Sequence, residues 1–436
     1  MEERWSIEHV LSLAPDAASR KAAGSLSSSA PWSGTGTDGA AVWGECEGSG
    51  STPYRTAIEL ATPAYLCNCP GRKFPCKHAL GLLLLWSGSA EDVPVGRPAD
   101  WAAKWLDARE ERAEERAEKR AGKRAKAPVN PETARRRAAR VAAGAAELRL
   151  RLADRVRHGL ADQSTAGPWE EVAARMVDAQ ASGLATRVRE LDTVPQERLL
   201  AEYAMLHLLA TAATRVDELP DGLAATVRAR VGYTLDTAEV LAGPTVRDRW
   251  LVLGSRDTSD ERLTTRRVWL RGAKTGRPAL LLSFGRPGQS PDLALPTGRV
   301  LEAELAFHPG AHPLRAAVGT RYGAPEPGPA GPPAGLTVAE AVADYGSAVA
   351  DDPWLDSRPT VLTDVVPVRA PDGWYLTDGH HTVPVRTSSV PEPALWRLAA
   401  VSTGRPLTVF GEYGHQGFAP VTAWAADRPP VGLTSP

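Results

Sequence analysis

Cysteine is scarce in this chain, with four in 436 residues, so a disulfide framework is excluded. Long apolar runs are missing too. The longest purely apolar stretch, Leu82 to Trp86, is far too short to span a bilayer, and no membrane partner is expected. The opening Met1-Glu2-Glu3-Arg4-Trp5-Ser6 carries acids early and no apolar core, which argues against a secretory leader and for a cytoplasmic location. Charge of one sign does not dominate either. A formal net charge of −1 supplies no chain-wide field for nucleic acid or anionic membrane, so any electrostatic partner must meet a local patch. Neither Gly-x-x-x-x-Gly-Lys-Ser/Thr nor Gly-x-Ser-x-Gly occurs, which removes the two commonest motif-based routes to an enzyme. Phenylalanine, at five, is outnumbered by thirteen tryptophans spread along the length, as core residues would be.

Glycine (39) and proline (37) are plentiful, and they punctuate the chain into segments of different pattern. Residues 1–95 combine a short helical start, a Gly/Ser-rich region and strand-like pieces, among them Tyr54, Thr56, Ile58 and Leu60 in alternation. Residues 96–130 read as a charged helical connector. Between 104 and 140 there are 13 Lys/Arg against 7 Asp/Glu. Residues 131–240 read as an α-helical domain, with Leu148, Leu152, Val156 and Leu160 on one helical stripe. From 241 to 436 the pattern is β-rich, with strands expected at 249–254, 267–270, 279–284 and 301–307. More follow at 361–368, 374–377, 382–386, 407–410 and 421–424. A Pro/Gly run at 324–335 reads as linker or long loop, with a helix after it at 338–350. The expected fold class is multi-domain α+β.

Three of the four cysteines fall within ten residues of one another, beside a histidine. The segment Cys67-Asn68-Cys69-Pro70-Gly71-Arg72-Lys73-Phe74-Pro75-Cys76-Lys77-His78 spells Cys-x-Cys-x6-Cys-x-His. Residues two apart on an extended strand share a face, so Cys67 and Cys69 can reach one ion. Pro70-Gly71 turns the chain so that Cys76 and His78 return over that face. Three thiolates and an imidazole suit one tetrahedral Zn²⁺, and soft sulfur argues against Mg²⁺ or Ca²⁺. Four protein ligands leave no position for water, so the ion is expected to be structural.

This pattern, leading into the apolar Ala79-Leu80-Gly81-Leu82-Leu83-Leu84-Leu85-Trp86, resembles the SWIM zinc finger, and residues 5–90 look like the corresponding part of bacterial SWIM-type zinc finger proteins. The resemblance implies zinc binding with a role in DNA binding or protein–protein contact. It also implies a protein partner, since relatives are often encoded beside AAA-type ATPases and von Willebrand A-domain proteins.

The residues leave three functional readings open. The first is a non-enzymatic adaptor or scaffold whose zinc lobe holds a recognition surface. The second is a nucleic-acid-binding protein that places Arg72, Lys73 and Lys77 of the finger loop, together with the basic connector, on phosphates. The third is an enzyme with its site in the C-terminal region. Cys46, flanked by Glu45 and Glu47, reads as a small buried residue near the finger, since acidic neighbours raise a thiol's pKa. His380-His381 after Asp378-Gly379 reads as a hairpin tip.

Overall fold

The early part of the chain builds a four-stranded antiparallel meander. Its strands β1 (Trp32–Thr37), β2 (Ala41–Cys46), β3 (Tyr54–Glu59) and β4 (Ala64–Cys67) lie side by side in sequence order. The computed structural model describes the chain except residues 1–3, 6, 15–16, 49–51, 61–63, 71–74, 110, 112–129, 161–167, 260–262, 286–292, 294, 324, 330, 426–427 and 434–436. Successive strand residues point to opposite faces. Val42, Cys46 and Ile58 therefore pack on helices α1 (Ile7–Ser12), α2 (Ala17–Gly24) and α3 (Lys77–Gly88), while Ala41, Trp43 and Ala57 face away from them.

The second face is covered as well. A helix over 100–109, α4, lays Ala102, Trp105 and Leu106 against Trp43, and Arg109 reaches Glu59 at 2.9 Å. The expected connector at 96–130 thus begins inside the lobe: Trp101, Ala102, Trp105 and Leu106 recur at helical spacing and make an apolar stripe that a solvated stalk would lack. Most of its basic run lies outside the described residues.

The helical region starts with α5 (Pro131–His158). Asn130 caps it by accepting from the Glu132 amide at 3.0 Å, and Pro131 occupies the first turn, where no amide donor is needed. Helices α6 (Pro168–Asp178), α7 (Ser182–Glu190), α8 (Gln196–Thr214) and α9 (Asp221–Val231) pack with it around Leu148, Leu152, Met176, Leu184, Val188 and Leu209. Of the expected α5 stripe, Leu148 and Leu152 are buried, Leu160 is half-buried and Val156 is exposed. Gly232 stops α9 at φ +114, a left-handed value that side-chain-bearing residues resist. The short α10 (Thr237–Leu241) leads into the β region.

That region is two closed barrels of one topology. In the first, β5 (Thr245–Ser259), β6 (Thr264–Gly272) and β7 (Pro278–Gly285) form a meander. Next, β8 (Arg299–Phe307) pairs with β5, and β9 (Arg315–Arg321) closes the barrel, antiparallel to β8 and parallel to β7. In the second, β11 (Ser357–Ala370), β12 (Gly373–Thr377) and β13 (Thr382–Pro384) repeat the meander. There β14 (Leu407–Gly414) pairs with β11, and β15 (Gly417–Trp424) meets the end of β13 through a parallel Val385–Phe418 bridge. Each first strand is long and bulged, at Val252/Gly254 and at Leu362/Val365. Meander, fourth strand on the first, and fifth strand parallel to the third is the strand order of the five-stranded Greek-key barrel known as the OB-fold. Helix α12 (Glu392–Ser402) sits between the third and fourth strands of the second barrel.

The Pro/Gly run is not a free linker. Residues Glu326–Pro327 form β10 on β8, the Gly328 amide donates to Gly298 O at 3.0 Å, and Arg271 donates to Ala334 O. Prolines lack a donor, yet carbonyls and the intervening amides suffice to strap the run onto the first barrel. Leu336 bridges to Leu362, and helix α11 (Val338–Asp351) follows behind a Thr337/Glu340 capping box.

The chain after α11 returns to the helical region. Trp354 is buried in the bundle core, its indole N–H donates to Met205 O at 3.1 Å, and its carbonyl accepts from Arg230. Among the described residues no helix is long and apolar enough to cross a membrane. Trp354→Ala should cost about 3–5 kcal/mol of unfolding free energy. It should also separate the unfolding of bundle and barrels into two steps in a denaturant titration followed by far-ultraviolet circular dichroism.

Candidate metal centre

The strand β4 ends at Cys67, which faces the same side as Thr56 and Ile58 of β3. The register pairs Cys67 with Thr56 directly, and the Thr56 hydroxyl donates to Cys67 Sγ at 3.3 Å. Asn68 then anchors the turn, its side-chain oxygen accepting from the Arg55 amide at 2.9 Å. This places Cys69 one step further, half-buried beside the same core. The chain comes back as helix α3. Cys76 is its N-cap, in extended conformation, with its sulfur accepting from the Ala79 amide at 3.5 Å. His78 lies in the first turn, and its Nδ1 stands 3.8 Å from Cys67 Sγ. The ring of Tyr54 covers the imidazole at 4.7 Å between centroids.

One donor atom from each of Cys67, Cys69, Cys76 and His78 lies within 4.8 Å of the other three. Ligands held near 2.3 Å (sulfur) and 2.0–2.1 Å (nitrogen) from a tetrahedral centre stand roughly 3.5–3.8 Å apart, so the set fits one zinc ion. The chemistry agrees. Hydrogen bonding with Cys76 pulls the Cys67 thiol down to about 4, and His78 and Thr56 help against the opposing effect of burial. The same bond and burial push Cys76 up. Without metal the two sulfurs share a proton; a bound Zn²⁺ takes both as thiolates. The amino end of α3 adds its partial positive charge beside Cys76.

The helix behind the ligands explains why the motif is followed by leucines. Every residue from His78 to Trp86 is buried, since α3 lies between the sheet on one side and α1 and α2 on the other. At Gly81 an added Cβ would stand 2.6 Å from the Leu26 Cβ and 3.1 Å from its carbonyl oxygen, so only glycine lets that segment approach. The metal therefore fixes the entry to the element that fills the core.

Two findings from known families bear on this geometry. A model of the SWIM zinc finger matches residues 64–86, which runs from the start of β4 to Trp86. The chain carries a SWIM zinc finger. A second model, the SWIM-associated four-helix bundle domain, matches residues 136–231, from within α5 to the end of α9. No curated protein and no solved structure matches the chain. The family likeness read from residues 5–90 thus extends to the bundle, where the sequence offered only helical periodicity.

Of the finger's loop cations, Lys77 is exposed at the first residue of α3, whereas Arg72 and Lys73 lie outside the described residues. Cys46 is fully buried under the SWIM lobe and takes no part in the cluster. Burial first, then the charge of Cys67, raises its pKa, while Lys77 opposes them and Glu47 adds a small further rise. Thr56, Tyr54 and Asn68 were not singled out by spacing. The signal for Thr56 was a hydroxyl placed between Tyr54 and Ile58 on an otherwise apolar strand face. His380 and His381 sit at an exposed turn, their amides donating to Asp378 Oδ1 at 3.0 and 2.7 Å.

Purified protein should hold one zinc per chain by atomic emission. Its removal with a chelator should unfold the lobe, since structural zinc in small fingers contributes roughly 10–16 kcal/mol at neutral pH. Thr56→Val, which deletes the hydroxyl facing Cys67, should lower zinc affinity about 10–100-fold in a competition titration with a chromophoric chelator. Gly81→Ala should destabilise the zinc-loaded lobe by about 1–3 kcal/mol without changing metal stoichiometry.

Proposed function

We propose that this protein is a non-enzymatic adaptor, in which a structural zinc holds the SWIM lobe as a recognition surface beside a helical bundle and two barrels. The observation that carries the reading is the closed ligand set. Cys67, Cys69, Cys76 and His78 use all four tetrahedral positions, so substrate and water have no place on the ion. The ion shapes the lobe and does no chemistry of its own.

A cavity in the C-terminal half supports the same view. It encloses about 650 Å³ between the first barrel, the Pro/Gly strap and the chain near Trp424. Its lining is mainly proline and glycine, with Arg271 and Arg428 as its ionisable side chains among the described residues. A general acid or base needs a group that exchanges protons near neutral pH, and guanidinium groups do not. A protein partner of the AAA-type ATPase or von Willebrand A-domain kind, suggested by the family resemblance, fits this role.

A second reading is favoured by one observation, the strand order shared by the two barrels. OB-fold barrels commonly bind oligonucleotides on the face of their second and third strands. In the first barrel that face carries Trp269 and Leu280, which are buried against Val361, Phe410 and Val421 of the second. The open nucleic-acid surface would then belong to the second barrel or to the finger around Lys77.

Affinity capture of the tagged, zinc-loaded protein from its native cell, with and without nuclease, separates the readings. The adaptor reading expects the same protein partners in both samples, and their loss after Cys76→Ala. Loss of every partner on nuclease treatment, together with salt-dependent oligonucleotide binding, would transfer the function to nucleic acid.

A further inference from the structure

The two barrels meet along a seam whose centre is apolar and whose end is strongly charged. At Gly254, on the bulge of β5, an added Cβ would lie 2.6 Å from Thr422 Oγ1 and 2.7 Å from Val421, so the bulge glycine lets β15 press onto β5. Trp269 and Phe410 pack edge to face beside it at 5.9 Å. Just beyond, β5 and β6 place Arg256 directly opposite Arg267. Like charges opposed across a ladder repel each other unless a counter-charge intervenes.

Among the described residues the counter-charge paired with both arginines is a single carboxylate. Glu412 of β14 is buried and stands 3.7 Å from Arg256 Nη1 and 3.6 Å from Arg267 Nη2. Both separations are ion-pair distances too long for a direct hydrogen bond. A third guanidinium, that of Arg386 at the end of the second barrel's meander, lies close enough to Arg256 to act on its charge. The group of four therefore carries three positive charges and one negative.

Burial makes that imbalance costly. The Arg256 side chain is 11% exposed and that of Arg267 40%, so the cluster has a floor and an open side. Burial holds the Arg256 pKa below the ordinary arginine value, with Glu412 opposing and Arg386 and Arg267 adding to the effect. Buried donors also go unused. Arg267 Nε and Arg386 Nε have no hydrogen-bond partner among the described residues, nor has Trp269 Nε1 in the same seam. The Trp269 ring lies 5.8 and 5.6 Å from the guanidinium carbons of Arg256 and Arg267, which holds the two cations together on one aromatic surface.

We propose that this seam binds a phosphate group, held by the guanidinium groups of Arg256 and Arg267. Planar guanidinium forks match the oxygens of phosphate and supply charge-assisted hydrogen bonds, and a phosphate dianion cancels the excess of two positive charges. Glu412 steadies the arginines when the site is empty. Because the site joins residues of both barrels, its occupant also fastens them to each other. The proposal does not rest on the adaptor reading.

The test uses the full zinc-loaded chain, with inorganic phosphate as probe against chloride at matched ionic strength. Phosphate should raise the melting temperature of the parent protein and bind measurably by titration calorimetry. Arg267→Ala, chosen because this arginine is more exposed than Arg256, should weaken that binding at least about tenfold. Glu412→Gln leaves three cations without a counter-charge, so it should melt lower than the parent in chloride and recover more than the parent on adding phosphate. A labelled oligothymidylate distinguishes the sources of the phosphate. Binding that is competed by inorganic phosphate and lost in Arg267→Ala assigns the site to a nucleic-acid backbone. Phosphate binding without oligonucleotide binding assigns it to a free phosphate or small phosphate ester. The proposal is overturned if phosphate acts no differently from chloride on the parent and on Glu412→Gln, or if Arg267→Ala binds phosphate as the parent does.

Discussion

The amino end of one helix holds the SWIM lobe together. Cys76 caps α3 and His78 sits in its first turn, so the two ligands that close the zinc site also position the helix that fills the core. A ligand pair at the end of β4 and a ligand pair at the start of α3 come together around one ion site instead of across a large apolar surface. This explains how a lobe of about one hundred residues can be organised around a small sheet. The leucines of α3 contribute burial, each worth about 1.5–3 kcal/mol, but they do so only after the metal has fixed where the helix begins.

Much of this was legible in the residues. The ligand spacing identified the ion, because two cysteines two apart on a strand must share a face and three thiolates select a soft cation. The strands of the C-terminal half were legible from alternation, from Arg249–Gly254 in β5 to Val421–Trp424 in β15. What escaped was their pairing. Alternation reports which face a residue occupies but not which neighbour lies across the ladder, so two copies of one barrel read only as two β-rich blocks. The strand β9 also escaped, since Arg315–Arg321 carries an arginine at each end and a glycine inside. That the run read as linker or long loop is strapped onto the first barrel was not legible for a different reason: proline and glycine mark irregular backbone, and irregular backbone can still be tied down through its carbonyls.

The zinc site was legible because its chemistry is local, with four ligands in twelve residues. The arginine seam was invisible because Arg256, Arg267, Arg386 and Glu412 are brought together by two separate barrels. Charges far apart in sequence read as ordinary surface residues, which is what most of them are. Only the packing of β5 and β6 against β14 and β15 turns them into one partly buried group. The tryptophans show the same contrast. Thirteen scattered indoles suggested core positions, yet Trp269 serves the junction between barrels, and Trp354 leaves its own barrel to join the bundle.

The position of Trp354 has a consequence for synthesis. The bundle that spans α5 to α9 is complete in sequence at Val231, but one of its core side chains comes 123 residues later. At translation speeds of about 5–20 residues per second, the nascent bundle waits roughly 6–25 s with that part of its interior open. Arrival of the indole ends the wait and records that the first barrel has already left the ribosome.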